Sequence, residues 1–402
     1  MIVAKFGGSA LADGKNWKKI LDITENDHYH AVVLSAPGAR FKGDKKVTDL
    51  LYEYFFEKKP REKDIIWQKI AARYENIADF FCLDIKQLLE ETRLLTLKAD
   101  LPFVVSRGEF LCAEIFARVS GRTHVDSAKV IKFDDEGEVL QKLTEQLVKD
   151  ACVKKNERFA LGGFYGSNPQ GEIRLFERGG SDVTGAWVAS ALDAEIYQNW
   201  TDVGGFFVCD PRIVPNPQKV ACLSFEQLKI LSTLGASVLH PLSVYPTQRK
   251  NIPINIRSLF KPCDEGTLVL PNTARRGEVI GITALDALCF NCIRHKNTPA
   301  FEESTLLFSC GNCGFFTAVV KKEGFEENTL PHTEGILFKK ETVLLSLLAD
   351  GKQKNASKVK QALKKHGLEC KVLCDDFGLT MCATTPCKKE EALTAVYRQF
   401  FL

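Results

Sequence analysis

The sequence has no long apolar run, no strongly basic tract and no low-complexity segment, and each absence closes off a class of function. Nothing approaches the ~18 consecutive apolar residues that a bilayer-spanning helix requires. Net charge is only +3 over 402 residues, so a nucleic-acid or membrane-surface role has little compositional support. No fixed-period repeat is present, which argues against a solenoid. The opening residues read at once as a strand, without the charged, apolar and small-residue succession of a signal peptide, so a cytosolic protein is expected. Cysteine, by contrast, is plentiful: fourteen residues, spread from Cys82 to Cys387 and denser after Cys289. In a reducing compartment scattered cysteines are mostly buried thiols.

At 45% hydrophobic and 26% charged residues, the chain is an ordinary globular one, long enough for two or three domains. Strand-like segments at 2–6, 31–34, 103–105, 159–161, 194–197 and 252–256 alternate with stretches of helical spacing, such as Leu140, Leu143, Leu147 and Val148. The alternation predicts an α/β fold with a mostly parallel sheet and helices on both faces. Residues 261–277 are rich in proline, glycine and charge and read as a linker or crossover. Beyond them strands are expected at 305–308, 315–320, 342–348 and 379–384, with helices at 358–366 and 390–400. Their order over 342–400 is βαββα, a smaller α+β module. Residues 281–340 contain no convincing amphipathic helix.

The richest stretch is 176–212. Gly179 and Gly180 follow Arg178 and let backbone approach a ligand closely. Ser181 or Asp182 is expected to cap a helix over 183–192, aiming free N–H groups at an anion. A strand then delivers Thr201 and Asp202 to a loop, followed by Asp210-Pro211-Arg212. Arginine, helix start and acidic loops in one α/β unit suit phosphoryl transfer from a nucleotide. Lys5-Phe6-Gly7-Gly8-Ser9, at a strand-to-helix turn, is a second phosphate-friendly segment. Gly14-Lys15 is not a P-loop ending, because Ser9 replaces its first glycine and Asn16 the metal-binding hydroxyl residue. Residues 105–109 read as a strand end opening a helix. Glu109 there either favours the helix dipole or accepts from a ligand ammonium.

KFGGSA at 5–10, VVLSAPG at 32–38, VSRGE at 105–109, ERGGSD at 177–182, WTDVGGFFVCDPR at 200–212 and GASVLHP at 235–241 occur in the order and spacing of one family. Over about residues 1–260 the chain resembles the aspartate kinases, members of the amino-acid kinase family. The resemblance implies a catalytic domain over 1–275 and an ACT-like regulatory region over 281–402, with a truncated first unit and a second at about 342–402. It implies transfer of the ATP γ-phosphoryl group, with Mg2+, to the side-chain carboxylate of L-aspartate, the first step of lysine, threonine and methionine biosynthesis. Lys5 would contact the transferring phosphoryl group, Gly7 and Gly8 would shape its cradle, and Asp182 would organise Lys5 and the phosphates. Arg178 would take the substrate α-carboxylate and Glu109 its ammonium, with hydroxyl contacts from Thr48 and Ser181. Thr201, Asp202, Phe207 and Arg212 match nucleotide positions. A homodimer and feedback by lysine are family habits.

The sequence departs from the family pattern at three places. Ser237 stands where a lysine is usual, Glu177 where glycine is common before RGGSD, and residues 37–48 are remodelled with Arg40, Lys42, Lys45 and Lys46. Two rival functions follow: a kinase for another small acid such as glutamate, or a silent amino-acid-binding protein. Separately, Cys289, Cys292, Cys310 and Cys313 have four-thiolate zinc spacing. The strand-like run LCFNCIR puts residues three apart on opposite faces, which favours buried thiols there.

Overall fold

The computed structural model describes residues 1–25, 28–152, 157–177, 179–236, 239, 241–273, 278–293, 306–312, 315–323 and 336–402. They form two compact units, Met1–Phe206 with Val238–Pro271, and Phe207–Ser237 with Asn272–Leu402.

In the first unit, strands β1 (Ile2–Phe6), β2 (Tyr29–Leu34), β3 (Thr123–Val125), β4 (Phe159–Gly162), β5 (Ile196–Thr201), β6 (Ile254–Ser258) and β7 (Thr267–Leu270) lie in the order β7-β6-β5-β1-β2-β4-β3. All these neighbours pair in parallel except β6 with β7. The expected α/β fold is present, with helices flanking the sheet. Strand parity decides what each side chain meets. Ala4, Phe6, Val32 and Leu34 enter a core with Trp17, Tyr54, Ile70, Leu89 and Phe116 from five helices. Val3, Lys5 and Val33 therefore face the other side of the sheet. Phe6 also stacks on Trp200 of β5, ring centroids 5.9 Å apart.

Two expectations fail here. Residues 103–105 are not a strand: they lie in a 20-residue helix, Leu101–Ser120, capped by the Asp100 side chain with Pro102 in its first turn. The β-branched pair Val104-Val105 imitates a strand, but a helix buried on nearly every side needs no polar face. Glu109 thus sits mid-helix instead of in a first turn. The presumed linker also contains β7, whose Thr267 and Val269 are buried while Leu268 and Leu270 are half-buried. Its antiparallel return requires a sharp turn at Gly266, φ +74°, where a Cβ would lie 2.0 Å from the Ile256 carbonyl oxygen.

In the second unit, β8 (Val279–Ile293), β9 (Leu306–Asn312), β10 (Phe315–Lys321), β11 (Ile336–Ala349), β12 (Cys370–Asp376) and β13 (Leu379–Thr384) form one antiparallel sheet in the order β9-β10-β8-β11-β13-β12. Helices Ala356–Lys365 and Lys389–Phe401 complete the βαββα order. Among the described residues between 281 and 340 there is no helix. Residues 207–237 belong to this unit and contribute the helix Phe225–Thr233, which starts with a Ser224–Gln227 capping box.

Candidate active site

At the ends of β1 and β2, two adjoining cavities of about 540 and 370 Å³ open in the first unit. Ser35, Lys46, Thr48 and Glu109 line both. The larger continues past Gly8, Gly38 and Asp202, the smaller past Lys5, Ser181 and Asp182.

Lys5 reaches the smaller cavity because its parity points it away from the main core. Its ammonium lies 2.6 Å from Asp182 Oδ1, and both side chains are largely buried. Asn199, the register partner of Lys5 on β5, donates from Nδ2 to the same oxygen at 2.8 Å. Asp182 is in the first turn of helix Gly180–Ala191, where a carboxylate meets the positive helix end. The cap is not Ser181 or Asp182 as the sequence pattern predicts, but Gly179 in a left-handed conformation, φ 61°. Glycine adopts that conformation without strain, so both polar side chains are released from capping and line the cavity.

The turn after β1 is set by backbone packing. Gly38 N–H donates to Gly8 carbonyl oxygen at 2.7 Å, and a Cβ on Gly8 would meet Ala36 carbonyl oxygen at 2.9 Å. Gly7 N–H donates to the Trp200 carbonyl at 3.0 Å, tying the turn to β5. Residues 38–46 then leave the sheet and are clamped by Arg73 from helix Pro60–Asp79. Arg73 is 4% exposed and donates to the carbonyl oxygens of Gly38 and Lys45 and to Asp44. Arg40 pairs with the same Asp44, and its guanidinium holds that carboxyl well below the usual range.

Glu109 is the second carboxylate of the site and is built differently. It is 4% exposed. Its Oε1 accepts from Ala36 N–H at 3.0 Å, whereas Oε2 is buried without a protein partner. Burial pushes its pKa up to about 8, against the pull of the Ala36 N–H. The neighbouring Arg107 does not neutralise it. That guanidinium is packed among the rings of Phe103, Phe110 and Tyr165 and donates to Ser106. An orphaned carboxylate oxygen lining a cleft is an acceptor for an ammonium.

Of the residues singled out in the sequence, Lys5, Gly8, Thr48, Glu109, Ser181, Asp182 and Asp202 meet at these cavities, with Gly7 beside Lys5 Nζ. Thr201 follows on β5, its hydroxyl donating to Asp202 at 2.9 Å. Phe207 and Arg212 belong to the second unit, where Arg212 is exposed and pairs with Asp210. Arg178, Ser237, Cys313 and the side chains of Cys292 and Cys310 lie outside the described residues, while Cys289 is buried. Glu177 is exposed. Sequence reasoning missed Asn199, although a polar Gln-Asn pair inside an otherwise apolar parallel strand is a legible anomaly. It also missed Arg73, whose role depends on a loop distant in sequence.

Among the described residues no three His, Cys, Asp or Glu side chains gather into a metal cage. No described helix is long and apolar enough to cross a membrane.

The model of the amino acid kinase family matches residues 1–258. Aspartokinase 3 of Bacillus subtilis is 31% identical over 315 residues, 72% of this chain and 68% of that protein. Lysine-sensitive aspartokinase 3 of Escherichia coli is 30% identical over 68% of this chain and 65% of its own length, so the chain spans about two thirds of these relatives. The crystal structure of Clostridium acetobutylicum aspartate kinase superposes with a TM-score of 0.84 at 27% identity, over 100% of both chains. These similarities agree: the chain belongs to the amino acid kinase family, on its aspartokinase branch.

Proposed function

We infer that the chain transfers the γ-phosphoryl group of ATP to the side-chain carboxylate of L-aspartate, giving 4-phospho-L-aspartate and ADP. The observation that carries this is the pairing of opposites across one cleft: a lysine braced by Asp182 faces the glycine turn, and a buried glutamate with an unused oxygen faces inward. The aspartokinase relatives supply the substrate names.

The chemistry asks little covalent work of the protein. A carboxylate with an ordinary pKa near ~3.9 is already ionised at neutral pH, so no general base is required. One of its oxygens attacks the γ-phosphorus, and the bond to the β-phosphate oxygen breaks to release ADP. The task is to hold two anions together and stabilise the charge between them. Lys5 is assigned to the transferring phosphoryl group, with Asp182 and Asn199 fixing its ammonium. Backbone at Gly7 and Gly8 forms the cradle. Glu109 takes the substrate ammonium, Arg178 the α-carboxylate as a planar fork, and Thr48 and Ser181 add hydroxyl contacts. Thr201, Asp202, Phe207 and Arg212 are assigned to the nucleotide.

Mg2+ is bound mainly through substrate phosphates and water, with one or two carboxylates. Asp182 and Asp202, both lining the cleft, fit that donor set. When bound, the ion neutralises phosphate charge. Lysine as effector follows the E. coli relative's printed sensitivity. An ACT-type role for the second unit, a homodimer and a cytoplasmic location complete the proposal.

The test is ATP turnover with L-aspartate, the acyl phosphate trapped by hydroxylamine, with L-glutamate in parallel. Aspartate-dependent hydroxamate is expected. Its absence, or equal yield from glutamate, would overturn the assignment.

A further inference from the structure

We propose that Lys46 reads the side-chain carboxylate of the amino-acid substrate and so determines the preference for an acidic acceptor. The proposal rests on the aspartate-kinase assignment above, and the geometry comes from three independent observations.

First, Lys46 lines both cavities and shares that position with only Ser35, Thr48 and Glu109. Among the described residues its ammonium has no carboxylate partner. The other cations of the cleft do: Lys5 is held by Asp182 and Arg40 by Asp44. The adjacent Lys45 is engaged by Glu53.

Second, Lys46 is the N-cap residue of the ten-residue helix Val47–Phe56, and no side chain caps that start. Val47 N–H donates to the Pro37 carbonyl at 3.1 Å. Thr48 thus presents its hydroxyl at a first turn that has further N–H groups without a side-chain cap and that also carries Asp49. The Lys46 ammonium supplies the positive charge there.

Third, Glu109 lines the same two cavities, with Oε2 buried and unpartnered. A zwitterion whose ammonium meets Glu109 leaves its carboxylates to the other polar groups that line the same cavities, Lys46 among them. Arg178 being assigned to the α-carboxylate, the side-chain carboxylate is left to Lys46. The lysine is positioned from behind: Arg73 holds the carbonyl of Lys45, so the peptide entering Lys46 is fixed. A positive charge there also offsets the repulsion between the acceptor carboxylate and the incoming phosphates.

Steady-state kinetics of the full chain with Lys46→Ala and Lys46→Arg test this. Lys46→Ala is expected to raise the aspartate KM about tenfold, the scale of one charge-assisted hydrogen bond. The ATP KM should stay within about twofold, and Lys46→Arg should recover most of the loss. L-asparagine, neutral at the side chain, should inhibit wild type and Lys46→Ala about equally. An unchanged aspartate KM overturns the proposal. So does an equal rise in the ATP KM, which would turn the charge toward the nucleotide. Failure of the underlying assignment reads differently: wild type itself would show no aspartate-dependent turnover. Lys46 is exposed, so both variants should retain the wild-type circular dichroism spectrum.

Discussion

On one flank of the cleft Asp182 is already paired, its Oδ1 taking the Lys5 ammonium at 2.6 Å and the Asn199 amide at 2.8 Å. On the other, Glu109 accepts a single backbone N–H and keeps its second oxygen buried without a partner. The difference separates two ways of preparing a site. A carboxylate already paired holds its cation in place before any ligand arrives, which is preorganisation for charge that develops later. A carboxylate left unsatisfied and desolvated is destabilised until an ammonium enters, so it converts its own desolvation into ligand affinity. Lys5 and Asp182 are thus suited to the transferring group, and Glu109 to the substrate that must come and go.

Removing Lys5 should break the comparison most severely. Lys5→Ala is expected to lower kcat by about 10²–10³, the scale of losing one positioned donor to developing negative charge, while the aspartate KM changes little. If kcat survives, the preorganised flank is elsewhere.

Glu109→Gln should act on the opposite parameter, raising the aspartate KM by ~10–100-fold, the scale of a hydrogen bond to a charged group. The same variant has a stability signature whose sign is fixed by the raised pKa. An ordinary glutamate titrates near 4.5, and Glu109 in the folded chain near about 8. Between these values the native state holds a proton that the unfolded chain has released, so stability declines as pH rises and the loss is complete above about 8. Glu109→Gln removes that decline. Denaturant unfolding from pH 5 to 9 should show a flatter profile for the variant. A profile parallel to wild type would mean the carboxyl is not desolvated. Aspartate affinity in wild type should improve toward pH 8, as Glu109 ionises to meet the ammonium.

The smallest effect is expected from Arg73, which touches neither flank but holds the loop between them. Arg73→Ala should cost about 1–2 kcal/mol of unfolding free energy, because the Gly38 and Lys45 carbonyls lose their donor while Asp44 keeps Arg40. Both substrate KM values should rise together. A rise confined to aspartate would place the loop entirely on the amino-acid flank.

How much of this was legible depends on range. The strands at 2–6 and 315–320 and the βαββα order announce themselves through local apolar periodicity. Residues 103–105 do not, because a helix buried on nearly every side has little polar face to betray its period, and Val104-Val105 imitates a strand. The Gly179 cap was hidden by better capping residues just after it. Lys5, Thr48, Glu109, Ser181 and Asp182, which the structure brings to the cavities, were singled out because their motifs are short and ordered along the chain.

By itself, then, the sequence determined the α/β class, the family and the roster of candidate side chains, all carried by local pattern and motif order. Tertiary structure alone decided which of them are satisfied. That Asp182 is paired and Glu109 is not follows from strand parity, from the alignment of Lys5 with Asn199, and from a helix pressed against Ala36. Those are contacts between residues tens to more than a hundred positions apart, and solvation, which sets the behaviour of a carboxylate, is a property of such contacts and not of the residue.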